Sequence, residues 1–338
     1  MSDQSGVAEG GALWRTANSD AFSGTIDIAA EQLGIQPLAV EKDYWVCEAL
    51  RAMVQAEPNG LVFKGGTSLE KLRIIQRFSE DLDLLVTTTI KKQNHAKNIL
   101  RNLCYAAARG VTQDPASLEP PALAISTVGS ARRHQHVTPP MTKSSFDGLA
   151  DPGSIFLELG QSGGAHPADP ASVQSLLSRA LQSATAVAEF DDLRPFTVSV
   201  LHPGRTLIEK LLRMNNFSQA RDSERDAKGW PRIGRQFYDV WALLGHSSVV
   251  GFLQDTKTVR AVLADCAVVS QSFGQDAPPP ADGFAASDVF TGIGVDMARL
   301  EKEHDTAMRE LYYGSTPAPT FADVLDRVQE NRSLLTLP

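Results

Sequence analysis

Residues 61–86 read LVFKGGTSLEKLRIIQRFSEDLDLLV, and the fold turns on how this stretch is read. A short apolar run, Leu61 to Phe63, ends on Lys64 and a Gly65-Gly66-Thr67 turn. A helix-length segment follows, with apolar residues at Leu69, Leu72 and Ile75, and a second strand-like run spans Asp81 to Val86. The order is strand, glycine turn, helix, strand. Side chains alternate faces along a strand, so Asp81 and Asp83 share one face while Leu82, Leu84 and Val86 point to the core. Two carboxylates on one strand face, beside a turn of bare backbone, suit a divalent cation and a phosphate. The glycines let the backbone approach a phosphate closely, and Thr67 is placed to cap the helix whose positive end faces it. Alone, an Asp-x-Asp pair is most often a solvated strand edge and a Gly-Gly pair a plain turn; their order together is what informs. Neither a Walker A loop nor a G-x-G-x-x-G dinucleotide fingerprint is present.

Composition narrows the setting. The chain has 338 residues, enough for two lobes, and its 42% hydrophobic and 21% charged content is that of a soluble globular protein. No apolar run approaches the roughly 18 residues of a membrane span, and the polar start MSDQSGVAEGG lacks a signal peptide's basic and apolar regions, so no membrane is expected and the cytoplasm is the default. Cys47, Cys104 and Cys266 are far apart and not in metal spacing, which reads as three small buried residues. The net charge of −8 is not the footprint of a general nucleic-acid binder, although it allows a local basic groove.

Along the chain, residues 1–22 read as a flexible tail. A helix is expected from Pro37, carrying Glu41, Lys42 and Asp43 on a solvated face. A basic helix is expected over Lys91–Ala108, with Lys91, Lys92, Lys97 and Arg101 toward solvent or an RNA backbone. Between Gly110 and Gly153 the sequence reads as strands on long loops, with an apolar patch at Leu123–Val128. There SARRHQHV gathers Arg132, Arg133, His134 and His136; phosphate contact by the arginines is favoured over zinc, because no third ligand accompanies the histidines. IFLELG, residues 155–160, is a buried-looking strand with one acid, Glu158, which needs a partner, a metal or a solvent-facing position. Val173–Ala188 reads as a helix and Phe196–Val200 as a strand. The lobe boundary falls near His202-Pro203-Gly204. Beyond it the chain reads as helical: Thr206–Met214, a mobile charged loop at Asn215–Pro231, Arg232–Leu244, then Val259–Phe273, Val295–Tyr312 and Phe321–Arg332.

KGGTSL, then Arg77, then SEDLDL, preceded by EKDYW at Glu41–Trp45, resembles the AbiEii/AbiGii toxin family of nucleotidyltransferases. Lys210 in LIEKLLR and the R-x-x-R-x-F-Y-D segment from Arg232 to Asp239 extend the resemblance to about residue 245. It implies an α/β (α+β) fold: a DNA-polymerase-β-like core over residues 23–202 and a mostly helical C-terminal lobe over 203–338. It further implies that Lys64, Gly65, Gly66, Thr67 and Ser79 bind the nucleotide, with Lys210 on its phosphates. Asp81 and Asp83 would bind Mg²⁺, with Glu158 as the third acid. Asp239 would hold Lys210, and Ser79 matches a serine whose modification silences such toxins.

The function expected on these grounds is Mg²⁺-dependent transfer of NMP from an NTP to an acceptor hydroxyl. By resemblance that acceptor is the 3′ end of tRNA, with translation or growth arrested and a cognate antitoxin as partner. Two alternatives differ in kind. A small molecule of antibiotic type or a protein hydroxyl would replace the tRNA, or an inactive relative would serve as a binding module. Intact Asp81, Asp83 and Lys210 argue against the last.

Overall fold

The computed structural model describes residues 11–88, 93–113, 132–144, 151–161, 163–181, 189–272 and 278–337. Six strands form one mixed sheet: β1 (Leu61–Lys64), β2 (Leu82–Val86), β3 (Arg132–Val137), β4 (Ile155–Gly160), β5 (Ala168–Val173) and β6 (Phe196–Leu201), in the order β3-β4-β2-β1-β6-β5. β1 runs antiparallel to β2 and parallel to β6; β4 runs parallel to β2 and antiparallel to β3. The alternation read in the sequence holds. Leu82, Leu84 and Val86 join Leu157 and Leu159 in the main core, whereas Leu85 turns to the other face with Val62 and Leu201.

The core face is covered by α1 (Ser19–Leu33), α2 (Pro37–Ala56) and α4 (Gln93–Gly110), while α3 (Gly65–Lys71) links β1 to β2. Lys97 and Arg101 on α4 are exposed, and α4 packs against the core face, opposite the face that carries Asp83. Solvated positions, not contacts to a substrate at that site, are their place. Lys91, Lys92 and Leu123–Val128 lie outside the described residues.

Four expectations need correction. The tail does not run to residue 22, because the short helix Trp14–Ala17 and then α1 begin earlier. Arg15 is fully buried, donating to Glu48 (2.7 Å), Tyr44 (3.0 Å) and the Gly110 carbonyl (3.1 Å), and this ties the segment down. Residues 215–231 are not a mobile loop: α5 (Pro203–Ser218) is followed by a helix at Asp222–Lys228. Buried Arg225 donates to the carbonyls of Phe217, Ser218 and Gly294, satisfying acceptors at the end of α5. The segment starting at Val173 is not one helix. Residues 168–173 instead pair with β6 as an edge strand, where Pro170 is tolerated, and a helix is confined to Leu176–Ala180 among the described residues. Finally, Glu41, Lys42 and Asp43 are not on a solvated face; all three are buried.

The remaining helices fall near their expected places. α6 (Trp230–Leu244), α7 (Met297–Leu311) and α8 (Phe321–Glu330) pack with α5 around a second apolar cluster. Gly234 lies against the Glu303 backbone of α7, so any larger residue would push the two helices apart. Leu69 and Ile75, from the stretch after the glycine turn, also enter this second cluster. The chain from Gln76 to Phe78 is stitched to the end of α7: Phe78 N–H donates to Leu311 O at 2.8 Å and Tyr313 N–H to Gln76 O at 2.9 Å.

Helix α3 stops after seven residues for a local reason. Ile74 N–H donates to Leu69 O at 3.0 Å and Arg73 N–H to Glu70 O at 2.9 Å, a Schellman ending with Arg73 in the left-handed region at φ 59°. Glycine normally fills that position. Replacing exposed Arg73 by glycine removes a penalty of about 1–2 kcal/mol and adds about 0.5–1 kcal/mol of unfolded-state entropy. Arg73→Gly is therefore expected to stabilise the fold by on the order of 0.5–1 kcal/mol, read as a higher urea midpoint. An unchanged or lower midpoint would contradict this.

Candidate active site

Topology brings the site together. β1 and β6 are parallel neighbours, and each runs straight into a helix, so the Gly65-Gly66 turn and the start of α5 emerge on the same side of the sheet. β2 returns antiparallel to β1, which sets Lys64 directly opposite Asp83; Asp83 in turn lies opposite Glu158 on β4, and Glu158 opposite His134 on β3. One row across four strands therefore reads Lys64, Asp83, Glu158, His134.

Gly65 has a geometric reason to be glycine. Its φ is 79°, and a Cβ there would collide with the Asp83 carboxylate. A Cβ on Gly66 would stand 2.9 Å from Ser79 Oγ and 3.0 Å from an Arg77 nitrogen. The helix begins at Gly65 itself, and Thr67 does not cap it. The Thr67 hydroxyl instead donates to the Asp81 carbonyl at 2.5 Å and lies 3.0 Å from Ser79 Oγ, fixing the approach to the acid pair.

Opposite the acids stands a wall of cations. A cleft of about 140 Å³ is lined on one side by Lys64, the glycine turn, Ser79, Asp81, Asp83, Phe156 and Glu158. On the other side it is lined by Lys210 and Arg213 of α5, with the acid Glu209 between helix and turn at 3.8 Å from Lys64 Nζ, and by Arg232, Arg235 and Gln236 of α6. All the nucleotide-binding and metal-binding positions expected from the sequence meet here. Asp239 does not line the cleft; it is fully buried behind it. There its two oxygens accept from Arg77 at 2.7 Å each, and Oδ2 also accepts from Lys210 Nζ at 2.7 Å.

Charges in the cleft perturb one another. Burial raises the Asp83 carboxyl, and the neighbouring Glu158 and Asp81 add to this against Lys64, lifting it to about 7. Burial lowers Lys210, with Asp239 opposing and Arg77 reinforcing that effect. Burial also lowers Arg235, which has Arg77 beside it. Half-buried Glu158 has the His134 ring beside it, with Nε2 4.0 Å from Glu158 Oε1. Among the described residues no three acid, histidine or cysteine side chains are gathered into a ready-made metal cluster. The donors nonetheless suit a hard divalent cation of the magnesium kind, which uses one or two carboxylates completed by substrate phosphates.

A buried network holds the site from behind. Lys42 donates to Glu80 at 2.5 Å, beside Asp81, and to the Asp151 carbonyl. Asp43 accepts from Lys71 on α3 and from Leu176 N–H at 2.6 Å. Glu41 accepts from Thr142 and Lys143 N–H groups, each at 2.8 Å. Burial raises Glu70, but Lys71 and Arg179 outweigh it and hold its carboxyl at about 2. Arg133 faces away from the cleft, on the Gln135 side of β3, so it is not a phosphate contact there. Sequence reading missed Arg213 and Arg235 as site residues. The signal was present: Lys210/Arg213 and Arg232/Arg235 are both spaced i, i+3, which sets each pair on one helix face.

A mixed sheet that sets two strand-borne carboxylates and a glycine turn against a cationic helical wall has the makings of a phosphoryl-transfer site. Residues 48–327 match the family described as nucleotidyl transferase AbiEii toxin, type IV toxin–antitoxin system. The chain belongs to this family and is a nucleotidyltransferase of the toxin class, for which the family implies an NTP substrate and an antitoxin partner. Among solved structures it is similar to MenT4, a nucleotidyltransferase toxin from Mycobacterium tuberculosis H37Rv, at 17% identity and a TM-score of 0.49. That match covers 96% of this chain and 88% of the other. JHP933 from Helicobacter pylori matches at 14% identity and a TM-score of 0.31, over 77% of this chain and 91% of that one. No curated protein matches. Among the described residues, no helix is long and apolar enough to cross a membrane.

Asp239 owes its charge to the cations around it. Burial raises its carboxyl, Arg77 and Lys210 outweigh burial, and the result is about 2, below the ordinary 3.8. A depressed carboxyl stabilises the fold fully above its unfolded pKa, and that contribution is lost as pH falls through the folded value. Asp239→Asn leaves two buried cations without their anion and is expected to cost about 3–5 kcal/mol at neutral pH. In urea unfolding the gap between wild type and variant should narrow from pH 3.8 toward about 2. A gap independent of pH would contradict the pairing.

Proposed function

We propose that this cleft binds an NTP with its triphosphate between the Gly65-Gly66-Thr67 turn and the cationic wall, and transfers the NMP to an acceptor hydroxyl. The acceptor we favour is the 3′ end of a tRNA, which blocks translation and growth in the cytoplasm until an antitoxin intervenes. The observation that carries this reading is that Asp81, Asp83 and Glu158 line one cleft together with Lys210, Arg213 and Arg235.

Each residue has a role in that reading. Backbone N–H groups at Gly65 and Gly66 donate to phosphate oxygens at the start of α3, with Lys64 and Ser79 at the rim. Lys210 donates to the phosphates while Asp239, itself fixed by Arg77, keeps its ammonium in place. Asp81 and Asp83 would hold Mg²⁺, with Glu158 alongside, and the ion would supply positive charge at the α-phosphate. The acceptor oxygen attacks the α-phosphorus in line. A new O–P bond forms, the bond to the bridging oxygen breaks, pyrophosphate leaves, and the hydroxyl proton passes to water. A phosphate on Ser79 would set negative charge beside Asp81 and oppose the incoming nucleotide.

The test is label transfer from each α-labelled NTP to total tRNA with Mg²⁺. Asp81→Ala and Asp83→Asn are each expected to lower the rate by at least on the order of a hundredfold. Label that persists in both variants would contradict the reading of the acid pair. Magnesium-dependent NTP binding with no label on tRNA would move the acceptor to a small molecule or a protein hydroxyl, in line with the net charge of −8.

A further inference from the structure

The sheet arranges the site in a fixed sequence, and this assigns a side to the acceptor. From β1 outward the strands run β1, β2, β4, β3. The glycine turn follows β1, the acid pair sits at the start of β2, Glu158 is on β4, and His134 and His136 are on the next strand, β3. If the triphosphate lies over the turn and the reacting phosphorus over the acids, in-line attack comes from the β4–β3 side. What covers that side is aromatic. Phe156 lines the cleft next to the acids, opposite His136 in the strand register and one step back from the Glu158 row. The His136 ring lies 5.0 Å from the Phe156 ring and the His134 ring 5.5 Å from it, both tilted. His134 Nε2 has no hydrogen-bond partner among the described residues. Three π-bearing rings on one polar sheet face, continuous with the acid row, have no packing role in the main core, which lies on the opposite face.

We propose that Phe156, flanked by His134 and His136, is the stacking platform for an unpaired nucleobase at the end of the acceptor strand, next to the attacking hydroxyl. This rests on the nucleotidyltransferase reading of the cleft. Flat aromatic rings accept any base by its π-face, so the platform would orient the terminal nucleotide without a basic groove. That suits a chain whose net charge is −8.

The probe is a short single-stranded RNA carrying 2-aminopurine at its 3′ end, whose fluorescence is quenched on stacking. Wild-type protein should quench it. Phe156→Leu, which keeps apolar volume but has no ring, should abolish the quench and raise the acceptor KM by about tenfold or more, with NTP affinity unchanged. Phe156→Tyr should restore both. His136→Ala, at an exposed position, should weaken the quench without loss of folding. An undiminished quench or an unchanged acceptor KM in Phe156→Leu overturns the platform. Wild type that binds Mg²⁺-NTP but does not quench the probe also overturns it while leaving the nucleotidyltransferase reading intact. Wild type that binds no NTP sinks that reading itself, and the platform with it.

Discussion

One carboxylate shared by two cations organises this protein. Asp239 is fully buried on α6, and it receives both Arg77 from the stretch before β2 and Lys210 from α5. A buried ion pair is weak as a source of net stability but strong as a constraint, because each partner left alone carries a large desolvation penalty. The arrangement therefore pins the chain between α3 and β2 to the helical part and sets how far the cationic wall stands from the acid wall. Two cations on one anion also leave a surplus positive charge, and Lys210 presents it to the cleft.

A second buried layer does the same for the glycine turn. Lys71 on α3 is held by Asp43 of α2, and Glu70 by Arg179 and by Tyr313, whose hydroxyl is 2.5 Å away. Lys42 holds Glu80, one residue before the acid pair. The Glu41-Lys42-Asp43 run is thus a set of anchors reaching residues 71, 80, 142–143, 151 and 176. Short side-chain ties of this kind keep a reactive geometry fixed when the surrounding elements are brief, and α3 has only seven residues.

Much of this was legible in the sequence, and the limits have physical causes. The strand-turn-helix-strand order, the shared face of Asp81 and Asp83, and the inward turn of Leu82, Leu84 and Val86 follow from period two and from glycine chemistry alone. The Lys210–Asp239 contact was foreseen as a pairing, but Arg77 as its third member was not, since residues 77 and 239 share no local pattern. Burial of Glu41, Lys42 and Asp43 is not legible because a charged run at helical spacing normally faces water; only the partners, which lie 28 to 133 positions away, reverse that. The tail and the 215–231 segment were misjudged for one reason. A single buried arginine, Arg15 or Arg225, fixes each by reaching backbone carbonyls, and hydrophobic patterning does not register such contacts.

Acid wall and cationic wall are proposed to hold one nucleotide between them. Calorimetric titration with a non-hydrolysable NTP analogue, with and without Mg²⁺, tests it most directly. Mg²⁺ should tighten binding to wild type, Asp81→Asn with Asp83→Asn should abolish this gain, and Lys210→Met should weaken binding whether or not the ion is present. Binding that is indifferent to Mg²⁺, to the two aspartates and to Lys210 would mean that the nucleotide does not sit between these walls.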